Sequence, residues 1–232
     1  MTESAIDIGA GQETDRRGAP SLTDRAYKAI EELIVTLQLA PGSLLSESAL
    51  SKQLDIGRTP IREALQRLAR EGLVVILPRR GILVSEINVR THLELLEARR
   101  EMERLMARAA ATRCSKAERA NFAAIAKGME AAAKQNEDIT FMRLDNELNR
   151  MIAAGAHNEF ARKSMGLMAG LSRRFWYSHY KEVADLPLCA RLHAKLARAI
   201  AKADGDAAAD ASDRLIDYIE KFARATVDTR GA

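Results

Sequence analysis

The 232 residues carry a formal charge of +4, are 47% hydrophobic but only 4% aromatic, and include two cysteines. That length holds roughly one or two domains, and a composition rich in alanine and leucine with few prolines favours helices. Two lone cysteines exclude a disulfide framework, and no run approaches the ~18 apolar residues that a bilayer span requires, so a cytoplasmic location without a membrane partner is expected.

Residues 1–20 carry Glu3, Asp7, Glu13 and Asp15 and no apolar run, which excludes a signal peptide and predicts a disordered tail. A first domain is expected over residues 21–86. Residues 22–39 read as a helix with Tyr27, Ile30, Ile34 and Leu37 on one face, ended by Pro41 and Gly42. Ser46 opens a second, short helix over residues 46–54, with Leu50 and Leu54 inward. Asp55-Ile56-Gly57 is a tight connector in which Gly57 can take a positive φ cheaply. In the third helix Thr59 reads as the N-cap and Pro60 as the first helical residue. Ile61, Leu65 and Leu68 recur there at helical spacing, which leaves Arg58, Arg62 and Arg70 on or near the opposite face and Arg67 on its flank. Gly72 stops that helix. Residues 73–77 and 82–84 read as strands joined by the turn Pro78-Arg79-Arg80-Gly81. Helix, turn, basic helix and a two-stranded wing make a winged helix-turn-helix.

From Arg58 to Gly81 six arginines stand against two glutamates, a surplus equal to the charge of the whole chain. The plain reading is a solvated helix with ordinary arginines. A surplus confined to one helix and one hairpin points instead to a surface that meets phosphates. A short helix with guanidinium groups at its first turn suits the major groove of double-stranded DNA. This reading needs those groups to be neither buried nor consumed by internal ion pairs.

The segments 39–47, 58–65, 68–73 and 79–81 together resemble the winged-helix domain of the GntR family of bacterial transcription regulators, over residues 22–84. The resemblance implies that Arg58, Thr59 and Arg62 contact operator DNA and that the wing tip, Arg79, Arg80 and Gly81, enters the minor groove. Ser46 and Ser48 belong to the same surface. Ser48 stands where a basic residue is common, so one arginine contact is replaced by a weaker one.

From residue 87 to 232 no strand pattern occurs, and an all-helical second domain is expected. Ser85-Glu86-Ile87-Asn88 is a linker too short for independent motion. Six helices are predicted at about residues 88–112, 115–134, 138–155, 158–181, 187–203 and 206–228, packed antiparallel into a bundle. Ser115 and Asp206 are the candidate caps. The fold class is thus mainly α: an N-terminal winged helix-turn-helix and a C-terminal antiparallel six-helix bundle.

Segments 95–103, 144–149, 154–158, 192–193 and 214–218 resemble, in order, the FCD-type effector-binding domain of the FadR subgroup. Six helices rather than seven favour its shorter VanR-like variant. The resemblance implies a homodimer, more often a repressor, that binds a palindromic operator and changes its grip when a small molecule, often a carboxylate, enters the bundle. Relatives hold a divalent metal with one Asp and three His; the matching positions here are Asp145, Asn149, His193 and Tyr218. Asn149 offers only an amide oxygen, a poor replacement for imidazole on zinc-like ions. Two readings stand side by side: a degraded metal site on Asp145, Asn149 and His193, or a metal-free cavity where Arg99, Asp145, Asn149, His193 and Tyr218 bond the effector. A guanidinium can grip a carboxylate through two parallel bonds, which suits Arg99, whose alternative is a pair with Glu103 one turn on. Arg173 and Arg174 fit a surface or interface role, and the aromatic run from Phe175 to Tyr180 fits a pocket wall or packing.

No Ser/His/Asp spacing, phosphate-cradling glycine loop or paired catalytic carboxylates point to an enzyme. A metal-dependent hydrolase-like helical protein and a non-specific nucleoid-type DNA binder are the alternatives.

Overall fold

The computed structural model describes residues 20–135 and 137–228. The tail expected over residues 1–20 lies outside the described residues except for Pro20. The N-terminal head comprises α1 (Leu22–Val35), β1 (Leu44–Leu45), α2 (Glu47–Leu54), α3 (Arg58–Arg70), β2 (Val74–Leu77) and β3 (Gly81–Val84). Its antiparallel sheet has the order β1-β3-β2, with Leu44 opposite Leu83 and Val74 opposite Val84. β1 was not expected, because two residues are too few to display a strand's alternation. Ile30 and Ile34 from α1, Ile61, Leu65 and Leu68 from α3, and Leu73 form a core from which water is fully excluded.

Local geometry corrects several boundaries. α1 ends at Val35, short of Pro41, because the Thr36 hydroxyl donates to the Glu32 carbonyl at 2.7 Å and Leu37 turns the chain with φ 61°. Between α2 and α3 the left-handed residue is Asp55, at φ 51°, not Gly57. Aspartate tolerates that region better than most residues, and the Ser51 hydroxyl pins the turn by donating to the Ile56 carbonyl at 2.7 Å. α3 starts at Arg58 with Gly57 as its N-cap and no side-chain cap bond, so Thr59 and Pro60 lie inside the first turn and Thr59 is not the cap. Gly72, at φ 75°, ends α3 as expected. The amide of Leu73 then reaches back to the Leu68 carbonyl at 3.0 Å, closing a Schellman motif.

The second domain is a bundle of α4 (Val89–Arg113), α5 (Lys116–Gln135), α6 (Asp138–Gly155), α7 (Glu159–Val183), α8 (Leu186–Ala201) and α9 (Gly205–Asp228). α5 lies along α8, α4 along α9, and α8 against α9, while α6 and α7 close over α4. Alanines such as Ala110, Ala126, Ala190 and Ala197 are buried among Phe122, Met129, Leu148 and Ile200, so small residues let the axes approach and large ones fill the gaps. The helix starts are capped locally. Ser115 and Glu118 form a reciprocal capping box, and the Asn158 and Asp185 carboxamide and carboxylate accept from the amides of Ala161 and Leu188. α9 is capped by Asp204, at 2.9 Å from the Ala207 amide, rather than by Asp206, because Ala203 turns the chain with φ 61° one residue earlier.

α7 joins head to bundle. Gly170 packs so closely on Leu73 that a Cβ would lie 2.7 Å from its Cδ1, and Leu171 joins the head's own core. Arg173 pairs with Glu31 of α1 at 2.5 Å. Arg174 is 3% exposed and donates to the Ser85 carbonyl at 2.8 Å, the Ser85 hydroxyl at 3.0 Å and the Glu86 carbonyl at 3.2 Å. The Ser85 hydroxyl in turn donates to the Gly72 carbonyl at 2.6 Å. One arginine of the bundle therefore grips the chain where it leaves the wing. Among the described residues no helix is long and apolar enough to cross a membrane.

Candidate nucleic-acid interface and ligand-sensing cluster

Folding sorts the head's arginines into two groups. Arg67 belongs to the scaffold: its guanidinium lies 3.6 Å from the centre of the Tyr27 ring and pairs with Glu71 at 3.2 Å and Asp24 at 3.5 Å. The Tyr27 hydroxyl donates to the buried Glu71 at 2.7 Å, so this group fastens α1 to α3. Arg58, Arg70, Arg79 and Arg80 are exposed and have no ion-pair partner among the described residues. Arg58 and Thr59 stand on the first turn of α3, and Arg79, at φ 63°, Arg80 and Gly81 form the wing tip.

Arg62 departs from the expectation of a free guanidinium. Its Nε donates to Glu47 Oε1 at 3.0 Å and its Nη2 to Oε2 at 2.8 Å. The bond from Arg62 holds the Glu47 carboxyl below its usual range despite some burial. The pair is not buried, since the Arg62 side chain remains 59% exposed. Ser46 is occupied as the α2 cap, accepting from the Ala49 amide at 3.4 Å, and its hydroxyl shares a 2.8 Å bond with Ser48. Both serines are exposed beside α3.

In the bundle, Asp145 and His193 meet. His193 Nε2 is 2.9 Å from Asp145 Oδ1, while Nδ1 is 2.8 Å from the Cys189 carbonyl, which can only accept. Both ring nitrogens thus face acceptors, an arrangement that calls for the doubly protonated imidazolium. Burial opposes that charge, but the Asp145 carboxylate and its hydrogen bond favour it, and the ring is held well above the usual histidine value. Burial pushes the Cys189 thiol upward, so it stays protonated. Asn149 is exposed and donates from Nδ2 to Asp145 Oδ1 at 3.0 Å. Phe141 stands edge-on to the His193 ring at 5.4 Å and Trp176 lies beyond it.

The other two residues expected in this cluster have protein partners of their own, and Tyr218 stays within electrostatic reach of Cys189 beside His193. Arg99 donates to Glu103 at 2.5 Å and 2.7 Å and to the Ser172 hydroxyl at 2.9 Å, so the one-turn pair is formed. The Tyr218 hydroxyl donates to the Asp185 carbonyl at 3.0 Å, at the start of α8. The donor set does not suit a divalent metal. The His193 nitrogen that would have to ligate faces Asp145 at 2.9 Å, the Asn149 amide nitrogen faces the same carboxylate, and among the described residues no group of three His, Cys, Asp or Glu side chains converges.

The description of an FCD domain matches residues 94–218, and that of bacterial regulatory proteins of the gntR family matches residues 22–84. The chain belongs to the GntR family, in the branch that carries an FCD domain. Among curated proteins this GntR-family chain is 25% identical over 212 residues to the HTH-type transcriptional repressor RspR of Escherichia coli K12, covering 91% of the chain and 93% of the relative. It is 44% identical over 62 residues, 27% of the chain and 26% of the relative, to an HTH-type transcriptional regulator in an unstable DNA locus of Streptomyces ambofaciens. Among solved structures E. coli McbR/YncC shares the fold, with a TM-score of 0.75 at 17% identity over 90% of this chain and all 100% of that one. This GntR-family protein is a DNA-binding transcription regulator and not an enzyme. Within the Phe175–Tyr180 run Phe175 serves packing: it stacks on His92 at 3.8 Å and meets Phe222 edge-on, and burial pushes His92 down to about 3, leaving it neutral.

Sequence reasoning did not single out Glu47 or Cys189, and it gave Arg174 a surface or interface role without naming the partners it grips. Cys189 precedes His193 by one helical turn, a spacing that could have revealed it. Glu47 and Arg174 reach partners 15 and 89 residues away and leave no local signal. The charged His193 has a measurable consequence. Its folded-state pKa is raised, so its stabilising effect is complete below the ordinary histidine value and is lost as pH climbs through the raised one. The difference in unfolding temperature between wild type and Asp145→Asn is therefore expected to be widest below the ordinary histidine value of about 6.5 and to narrow as the pH is taken well above it. A difference that stays constant over that range would remove the imidazolium from the cluster.

Proposed function

We propose that this chain is a ligand-responsive repressor that binds a two-fold operator as a homodimer and changes its grip when a small carboxylate enters the bundle. The observation that carries the DNA half is the set of exposed cations, Arg58 and Arg62 on successive turns at the start of α3 and Arg79 and Arg80 at the wing tip. In this reading α3 enters the major groove, where Arg58, Thr59 and Arg62 meet base edges or phosphates, with Ser46 and Ser48 alongside. Arg79, Arg80 and Gly81 follow the adjacent minor groove. Two heads related by a two-fold axis then read half-sites roughly one helical turn, about 34–36 Å, apart. The repressor assignment follows the name of RspR.

The ligand half rests on the Asp145–His193 pair. An imidazolium whose counter-ion is a partly exposed aspartate can exchange that partner for an incoming carboxylate, with the Asn149 amide beside it. The ligand then binds without metal, and Arg99 and Tyr218 support the surrounding helices rather than the ligand. Selection of duplexes from a randomised pool tests the first half. A single two-fold sequence protected in a footprint is expected, and uniform, salt-sensitive coverage would favour a non-specific binder. A thermal-shift screen of small carboxylates tests the second. A stabilising hit should survive chelator and be lost in His193→Ala, whose DNA binding without ligand is unchanged; a hit abolished by chelator would overturn the metal-free reading.

A further inference from the structure

We propose that Glu47 is a specificity-determining residue of the DNA-binding surface: its carboxylate holds one edge of the Arg62 guanidinium so that the opposite edge is presented to a guanine. The proposal rests on the reading of α3 as the groove-binding helix. A guanidinium offers two edges with parallel N–H pairs, one formed by Nε and Nη2 and the other by Nη1 and Nη2. Glu47 takes the first through bonds of 3.0 Å and 2.8 Å. The second edge is left open on a side chain that is 59% exposed, and it is the edge that matches O6 and N7 of guanine in the major groove.

The carboxylate is built to hold still. Glu47 is the first residue of α2, whose start is fixed by the Ser46 cap and whose angle to α3 is set by the left-handed Asp55 and the Ser51–Ile56 bond. It is 21% exposed, the more sheltered member of the pair. Arg58 also lies within reach of its charge, so one anion stands near two cations that would otherwise repel each other. Without Glu47 the long Arg62 side chain would have to lose its rotamer freedom on meeting DNA. The same anion reduces attraction to phosphates for every sequence alike. The arrangement therefore gives up general affinity and gains discrimination.

The test uses the full chain and two synthetic duplexes: the one that wild type selects from a randomised pool, and a scrambled duplex of equal composition. The readout is the ratio of the two affinities at fixed salt. Glu47→Ala is expected to lower that ratio by about tenfold, chiefly by relaxing the demand for guanine at one position per half-site, while binding to the scrambled duplex holds or strengthens. Glu47→Gln, which keeps one acceptor oxygen, should fall between. In an Arg62→Ala background Glu47→Ala should change the ratio no further. An unchanged ratio in Glu47→Ala, or equal weakening on both duplexes with a lowered unfolding temperature, would overturn the proposal. If Arg62→Ala itself leaves the ratio intact, the groove-binding reading of α3 fails; if Arg62→Ala collapses the ratio and Glu47→Ala does not, only the role of Glu47 falls.

Discussion

Arg62→Ala is expected to weaken binding to the selected operator by roughly tenfold to a hundredfold per half-site, compounded over the two half-sites of a dimer, with dimerisation and unfolding temperature unchanged. The two parts of this expectation come from opposite faces of α3. Ile61, Ala64, Leu65 and Leu68 are buried and carry the helix's packing, and alanine at position 62 disturbs none of them. Arg62 is on the exposed side, where its one protein partner is Glu47. Losing the guanidinium also frees that carboxylate, which then adds a negative charge to a surface that meets phosphates, so the loss should exceed that of one contact. Arg67→Ala is the control. It removes a cation from the Tyr27 ring and from Glu71, so it should lower stability while leaving the ratio of operator to scrambled binding intact. Anisotropy titrations at two salt concentrations, with gel filtration of each variant, decide the matter. An Arg62→Ala protein that keeps wild-type operator affinity would rule out this docking of α3.

What could be read beforehand was whatever is decided within one or two turns of chain. The six bundle helices were legible because Ser115, Asn158 and the acidic residues before α8 and α9 cap them locally and the apolar spacing runs between those caps. The failures at Thr59 and Asp206 have one cause. Each is a good capping residue two places from the actual cap, and backbone angles at Gly57 and Ala203, not side-chain chemistry, chose between them. Arg99 shows the next limit: the Glu103 pair was foreseeable from spacing, while the Ser172 bond that completes its shell comes from a residue 73 positions away. Tyr218 matches a ligand position of the family, and its hydroxyl donates to the Asp185 carbonyl, a contact set by how α9 leans on α8. Asp145, Asn149 and His193 are the residues of the candidate cluster that the fold brings into contact.

Arg174→Met is expected to destabilise the joint between head and bundle by about 2–3 kcal/mol, seen as a fall of about 5–10 °C in unfolding temperature and faster hydrogen exchange in β2 and β3. Methionine keeps the length and apolar stem of the side chain, so the change removes chiefly the bonds. Three acceptors on Ser85 and Glu86 lose their donor inside a contact that excludes water, and the Ser85 hydroxyl loses the partner that orients it toward Gly72. Against this, a cation whose pKa burial pushes down is no longer desolvated, and its Nε, which has no hydrogen-bond partner, is no longer stranded. The gain and the loss partly cancel, which is why the expected value is well under three full charge-assisted bonds. Arg174→Lys should recover little, because an ammonium cannot span acceptors placed for a planar fork. The same joint is a direct hydrogen-bonded link from α7 to the chain leaving the wing, so the variant should also blunt the change in operator affinity that a bound carboxylate produces. Operator affinity without ligand should shift by less than about threefold, since no DNA-facing side chain is touched. Wild-type stability in Arg174→Met, with the ligand response intact, would show that the bundle communicates with the head through the Gly170–Leu73 packing and the Arg173–Glu31 pair instead.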